Sequence, residues 1–271
     1  MLERATLGAL EDADRTIEDV DAIVVVSTTG IATPSLDALL MERMPFKRTV
    51  RRLPIFGLGC VGGAVGLARA ATFAAAAPGS TVLLLVIELC ALWFRRNDVA
   101  KSNIVATALF GDGAAAVVLS TEGEGPHVTG SGEYTFPKTL DIMGWDVADD
   151  GLQAVFSRDI PHLVETQFRP VLDDYLRERG LNAGDIDRFL SHPGGTKVLD
   201  ALESAFGLES GALVDSRTIL RDYGNMSAVT VLFVLERAMR EGALRDGMWQ
   251  HALLTAMGPG FTAAFVNLQR T

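Results

Sequence analysis

Cysteine is scarce in this sequence: its 271 residues hold only two, Cys60 and Cys90. They form no CxxC pair and no cluster with histidine, so a disulfide framework and a structural zinc site both have little support. Basic charge is also short. Lys and Arg number 24 against 34 Asp and Glu, a formal net charge of -10, and the cations are scattered. Without a basic stripe, nucleic acid and anionic membrane surfaces are poor candidates for partners. Long apolar runs are missing as well: none approaches the roughly 18 residues that cross a bilayer. The longest strand-like run, Val82 to Ile87, has the length of a buried strand. Met1-Leu2-Glu3-Arg4 opens a charged amphipathic pattern instead of a basic segment, apolar run and cleavage site. A soluble, cytoplasmic protein is expected.

What is present is enough apolar material, 48% of the chain, for a sizeable core in one or two domain-sized units. The spacing predicts helices over Leu2 to Thr16, Pro34 to Met44 and Ala64 to Ala77, and strands over Ala22 to Val26, Leu53 to Phe56, Thr81 to Ile87 and Ala114 to Leu119. The Glu122-Gly123-Glu124-Gly125-Pro126 stretch has the composition of a linker and places a boundary between residues 1–121 and 122–271. Beyond it, helical patterns over Pro161 to Arg179, Thr196 to Phe206 and Ser227 to Glu241 alternate with short strands at Phe189-Leu190, His251 to Thr255 and Thr262 to Leu268. Strands alternating with helices argue α/β layering, and the second half roughly repeats the first.

Four stretches carry possible chemistry. Gly57-Leu58-Gly59-Cys60-Val61-Gly62-Gly63 sets a cysteine ahead of an Ala-rich helix, where backbone N–H groups and the helix dipole favour a thiolate. The glycines let a substrate carbonyl and the sheet come close. Taken alone, this is equally a small buried cysteine in a glycine turn. Leu190-Ser191-His192-Pro193-Gly194-Gly195 ends a strand on a histidine, a residue that is usually structural when alone. Tyr223-Gly224-Asn225-Met226-Ser227 places an asparagine before a helix whose expected N-cap is Ser227, and a loop asparagine bonding its own backbone is the ordinary reading. Met257-Gly258-Pro259-Gly260 by itself is a hairpin turn between apolar strands.

Together with Ala108-Leu109-Phe110-Gly111-Asp112-Gly113-Ala114-Ala115-Ala116, these stretches in this order resemble the type III polyketide synthases, relatives of chalcone and stilbene synthases. The resemblance runs from about Leu2 to Leu268, and the combination is specific where each motif alone is weak. It implies a thiolase-like α/β fold, with two related βαβαβ halves in an α-β-α-β-α layering. It implies Cys60 as an acyl-accepting nucleophile paired with an imidazolium at His192, and His192 with Asn225 as an oxyanion hole for malonyl-CoA decarboxylation. Substrates would be an acyl-CoA starter and malonyl-CoA, with no metal and no organic cofactor.

Phe110 matches a gatekeeper position between coenzyme A tunnel and cavity, and Lys197 a tunnel-mouth position. Gly258, Pro259, Gly260 and Ser227 would shape the cavity, and Cys90 would at most line it. A homodimer is implied, with the loop at Thr33 reaching toward the neighbour. Trp93 stands where family members often carry a small cavity-wall residue. If it points inward, it leaves less room for extension and favours release as a short α-pyrone. Against the family, on the order of a hundred amino-terminal residues are absent ahead of the cysteine, so the first half is expected to be incomplete, lacking a central strand. Rival readings are a ketoacyl-ACP synthase III-like enzyme using a carrier protein, and a catalytically silent scaffold homologue.

Overall fold

A computed structural model describes residues 1–96, 99–148, 151–244 and 249–270. In the first half, α1 (Leu2–Asp12) leads to β1 (Val20–Val26), α2 (Leu36–Arg43), β2 (Arg51–Ile55), α3 (Gly62–Ala76), β3 (Thr81–Glu88), α4 (Lys101–Leu109) and β4 (Gly113–Leu119). The second half opens with β5 (His127–Thr135) and a separate two-stranded ribbon of β6 (Met143–Ala148) and β7 (Gly151–Phe156). There follow α5 (Ile160–Leu163), a π-turn, α6 (Arg169–Arg177), β8 (Arg188–Ser191), α7 (Thr196–Phe206), α8 (Val214–Tyr223), α9 (Thr230–Leu244), β9 (His251–Gly258) and β10 (Thr262–Gln269).

Two four-stranded sheets result, in the orders β2-β1-β3-β4 and β5-β10-β9-β8. Each contains a parallel pair followed by an antiparallel one: β1 with β3 and then β4, β8 with β9 and then β10. The internal repeat suggested by the sequence is therefore a repeat of strand order. A gap in the middle of the first sheet, expected from the sequence, is absent. Val24 and Val25 of β1 pair directly with Leu84 and Leu85 of β3. Among the described residues, the unpaired edges of that sheet are β2 and β4, whereas in the second sheet β5 covers the outer edge of β10.

The period-2 geometry of strands divides the apolar residues into layers. On β1, Ala22, Val24 and Val26 face a core shared with the second sheet, while Ile23 and Val25 face the layer of α1 and α2. On β3, Val82, Leu84 and Val86 face the shared core, and Leu83 and Leu85 the outer layer. Both strands are buried on both faces, which is why they read as uninterrupted apolar runs. A third core lies on the far side of the second sheet, where Phe168, Leu172, Leu176, Leu199 and Leu202 pack on Leu253 and Phe265. Each such side chain contributes about 1.5–3 kcal/mol when fully buried.

Helices α3 and α9 fill the shared core between the sheets. The stretch Gly59–Ala76 has a mean hydropathy of 1.3 over 18 residues, so the sequence does contain one segment apolar enough to cross a membrane. Its burial identifies it as the core helix instead: 67% lies inside the protein. The packing is close. A Cβ on Gly63 would lie 2.1 Å from the carbonyl oxygen of Ala228, in the turn that precedes α9.

Gly63→Ala is therefore expected to destabilise the fold by about 2 kcal/mol or more, because backbone meets backbone and neither can yield cheaply. Gly8→Ala, in an α1 position with open space around it, should be neutral or stabilising by up to about 1 kcal/mol. Thermal melts of the two variants against the parent measure the contrast, and equal melting temperatures would remove the Gly63 contact as a structural constraint.

Candidate active site

Cys60 sits in a three-residue 3-10 turn, Gly59–Val61, directly ahead of α3. The matching element in the second half is the 3-10 turn Ser227–Val229, directly ahead of α9. Each turn begins on a residue with positive φ, Gly59 at 51° and Ser227 at 50°. For Ser227 this is an uncommon backbone state for a residue with a side chain. The two helix amino termini meet here. Cys60 Sγ donates to Ser227 Oγ at 3.7 Å. Ser227 thus faces the sulfur instead of capping the helix through its side chain, as the sequence had suggested.

Asn225 is held on three sides. Its N–H donates to Leu109 O at 2.9 Å and its carbonyl accepts from Gly111 N–H at 2.9 Å, bridging it to Phe110. Its Oδ1 accepts from Ser227 N–H at 2.8 Å, the local asparagine turn anticipated from sequence. That bond turns Nδ2 away from the backbone, and its contact with Gly194 O is long, 3.4 Å. His192 extends the β8–β9 ladder, donating its N–H to Thr255 O at 2.8 Å. Its ring is buried, and neither ring nitrogen has a hydrogen-bond partner among the described residues.

Burial sets the charge states. Desolvation pushes the Cys60 thiol up to about 12, with the bonds from Ser227 and Asn225 pulling the other way, and holds His192 down at about 3. Burial by itself therefore works against the thiolate and the imidazolium expected from sequence. Burial likewise pushes Cys90 well above the usual thiol range.

One contributor escaped the sequence reading. Glu88, the last residue of β3, is buried and accepts hydrogen bonds from the backbone N–H groups of Thr28 and Thr29 at 2.9–3.2 Å. Thr28 Oγ1 in turn accepts from Gly59 N–H at 2.8 Å, so the loop after β1 anchors the cysteine turn through Glu88. An acidic residue closing a fully apolar run was the available signal. From beneath, the Gly258-Pro259-Gly260 turn packs on the same element: a Cβ on Gly258 would lie 2.5 Å from Leu58 O and 2.7 Å from Val61 N.

A cavity of about 580 Å³ lies alongside, lined by Cys90, Trp93, Asn103, Phe110, Trp145 and Gln153 among others. Cys60, His192 and Asn225 do not line it. Phe110 connects the two regions, with its ring on the cavity and its backbone bridged to Asn225. Gly258, Pro259, Gly260 and Ser227 support the cysteine side and are not on the cavity wall. Lys197 and Thr33 are exposed and away from this wall.

Desolvation by burial raises the Glu88 carboxyl to about 7, so the folded chain keeps a proton that the unfolded chain releases near 4.5. Folded protein then binds more protons than unfolded between these values, and stability falls as pH rises through that window. The stability lost is about 3 kcal/mol. Glu88→Gln, which cannot ionise, should lack this component. Denaturant unfolding of parent and variant between pH 4.5 and 7.5 checks the difference, and parallel pH profiles would show that Glu88 does not titrate there.

The comparisons with known proteins show the family. The family model for the amino-terminal domain of chalcone and stilbene synthases matches residues 1–123, and that for the carboxy-terminal domain matches residues 129–270. The chain is 42% identical to a 1,3,6,8-tetrahydroxynaphthalene synthase of Streptomyces peucetius subsp. caesius, over 99% of this chain and 72% of that protein. It is 34% identical to a 3,5-dihydroxyphenylacetyl-CoA synthase of Amycolatopsis balhimycina, over 98% of this chain and 72% of that protein. The crystal structure of the 1,3,6,8-tetrahydroxynaphthalene synthase of Streptomyces coelicolor A3(2) superposes with a TM-score of 0.92 at 34% identity, covering all of this chain and 76% of that one. With its thiolase-like fold, this chain belongs to the chalcone and stilbene synthase family and is an acyltransferase of the type III polyketide synthase class.

Proposed function

We propose that this enzyme loads an acyl group from coenzyme A onto Cys60 and extends it by decarboxylative condensation with malonyl-CoA, releasing a short polyketide such as an α-pyrone. The carrying observation is the buried chain Cys60–Ser227–Asn225–Gly194, together with a His192 imidazole whose ring nitrogens have no partner among the described residues. A buried imidazole without a hydrogen bond is costly unless a ligand supplies one.

In the loading step Cys60 Sγ attacks the thioester carbonyl, His192 takes the thiol proton, and coenzyme A leaves with a proton as its thiol. Burial works against either charged form before substrate arrives, so charge is best accommodated as bonds form. In the extension step malonyl-CoA loses carbon dioxide. The negative charge moves to its thioester oxygen, which accepts hydrogen bonds from His192 and from Asn225 Nδ2. Ser227 N–H fixes the amide orientation through Oδ1. The resulting carbanion attacks the acyl thioester on Cys60, and the next unit follows. The thioesters carry the chemistry, so no metal or organic cofactor is called for.

The nucleophile falls in a first half, residues 1–121, and the donors in a second, 122–271. Phe110 would screen the reacting centre from water at the coenzyme A tunnel, with Lys197 at its mouth. Trp93 is on the cavity wall, which supports early release by enol-oxygen cyclisation in place of carbon-carbon ring closure. We also place the enzyme in the cytoplasm as a homodimer. The loop at Ile31 and Thr33, both exposed, is the part expected to reach the neighbour.

Incubation with an acyl-CoA followed by peptide mass analysis should find the acyl mass on Cys60 and none on Cys90; the reverse result removes Cys60 as nucleophile. Asn225→Ala should still be acylated while malonyl-CoA decarboxylation falls roughly 10²-fold or more. Decarboxylation at the parental rate would exclude the oxyanion role. Product mass spectra from a starter panel with malonyl-CoA test the pyrone, and loading that depends on an acyl carrier protein would favour the ketoacyl-ACP synthase alternative.

A further inference from the structure

The direction of the His192 ring is set by its backbone, because neither ring nitrogen has a hydrogen-bond partner among the described residues. The peptide that joins Ser191 to His192 is held at both ends. Its N–H donates to Thr255 O on β9 at 2.8 Å. Its carbonyl points the opposite way, as in any trans peptide, and so away from β9. Among the described residues β8 is the outer strand of its sheet, and on that side this carbonyl has no strand to pair with. A buried carbonyl requires a partner. Ser216 of α8, itself fully buried, supplies it: Ser216 Oγ donates to Ser191 O at 2.6 Å.

The same helix delivers Asn225. From Ser216, α8 runs on to Tyr223, Gly224 N–H donates to Leu220 O at 3.0 Å, and Asn225 follows directly. The Asn225 amide reaches back to Gly194 O, two residues past His192. A second tie docks α8 on β8: Arg188 Nε and Nη2 donate to Asp215 Oδ2 and Oδ1 at 2.8 and 2.9 Å. That ion pair joins helix to strand at Arg188, three residues ahead of Ser191. The Ser216 bond is the one that reaches the His192 peptide.

We propose that Ser216 is a positioning residue for malonyl-CoA decarboxylation: its hydroxyl ties the peptide before His192 to the helix that carries Asn225, and so sets the separation of the two N–H donors. This rests on the oxyanion reading given under the proposed function. Without the hydroxyl, the Ser191 carbonyl is buried and unsatisfied, and its peptide tilts toward another partner. The Cα–Cβ direction of His192 turns with it, and no bond from the ring opposes the turn. A displaced donor weakens stabilisation where charge develops and leaves the binding of coenzyme A unchanged.

The test compares the parent with Ser216→Ala, with Ser216→Thr, which keeps the hydroxyl, and with Arg188→Met, which removes the ion pair and leaves the Ser216 contact. One readout is kcat and KM for malonyl-CoA decarboxylation. The other is nuclear magnetic resonance of protein carrying isotope-labelled histidine: the chain has four histidines, and His192→Gln identifies the His192 signal. In Ser216→Ala, kcat should fall about tenfold with KM within about twofold of the parent, and the His192 signal should shift. Ser216→Thr should restore both. Arg188→Met should melt at a lower temperature yet keep kcat within about threefold of the parent. If Ser216→Thr does not melt cooperatively, Ser216→Cys replaces it and should fall between the parent and Ser216→Ala; a kcat no better than that of Ser216→Ala counts against the hydroxyl. Parental kcat and an unshifted signal in Ser216→Ala overturn the proposal. So does an equal loss of kcat in Arg188→Met, which would assign the effect to the docking of α8 in general. If no protein, the parent included, decarboxylates malonyl-CoA while the His192 signal shifts in Ser216→Ala and returns in Ser216→Thr, the decarboxylation reading fails and the hold of Ser216 on His192 stands.

Discussion

The contact on which the rest depends is between two backbones: α3 lies against the turn before α9, at a distance only a glycine at position 63 allows. Both helices carry a 3-10 turn at the amino end, and both ends arrive at the same place between two sheets. That meeting puts Cys60 on Ser227, a residue more than 160 positions away in the chain, and Ser227 N–H on Asn225 Oδ1. The positive φ shared by Gly59 and Ser227 lets each turn present its neighbours inward. The second half needs a side chain at this position, and so tolerates a backbone state that glycine adopts freely.

Burial then decides the chemistry. Polar groups enclosed by two apolar sheets cannot rely on water, so the cluster is built from neutral donors and acceptors and from one carboxyl that holds its proton unusually high. Burial works against the charged form of both the Cys60 thiol and the His192 imidazole. Pre-placed N–H groups stabilise such charge most strongly where the dielectric is low. Glu88 serves the same arrangement at a distance: by gathering the N–H groups of Thr28 and Thr29 it fixes the loop that in turn holds Gly59.

Much of this was legible in the chain. Thr196 to Phe206 forms a helix with the bounds its periodicity predicts, and the apolar runs Val20–Val26 and Thr81–Glu88 are doubly buried strands. Helix α4, helix α8, strand β5 and the β6–β7 ribbon were not read from the sequence. Their side chains are only partly covered: α4 buries none of its residues, and β5 alternates between exposed and half-buried positions. A pattern detector built on apolar periodicity has little to detect in such elements. The apolar segment Gly59–Ala76 was missed as a continuous run for a different reason, since Gly and a single Arg69 dilute it locally while its mean stays high.

The sequence by itself determined the family, through motifs whose residue types are demanded by acyl transfer, and it named Cys60, His192 and Asn225 as the group to watch. Those are statements about which chemistry the side chains can do, and chemistry is carried by residue type and spacing. Tertiary structure alone decided the burial of that group, the contact of Ser227 with the sulfur, the anchoring by Glu88 and the pairing of Trp145 with Trp93. Each of these depends on what surrounds a side chain after folding, on desolvation and on contacts between distant segments. Such surroundings come from packing the whole chain, and no local stretch of sequence contains them.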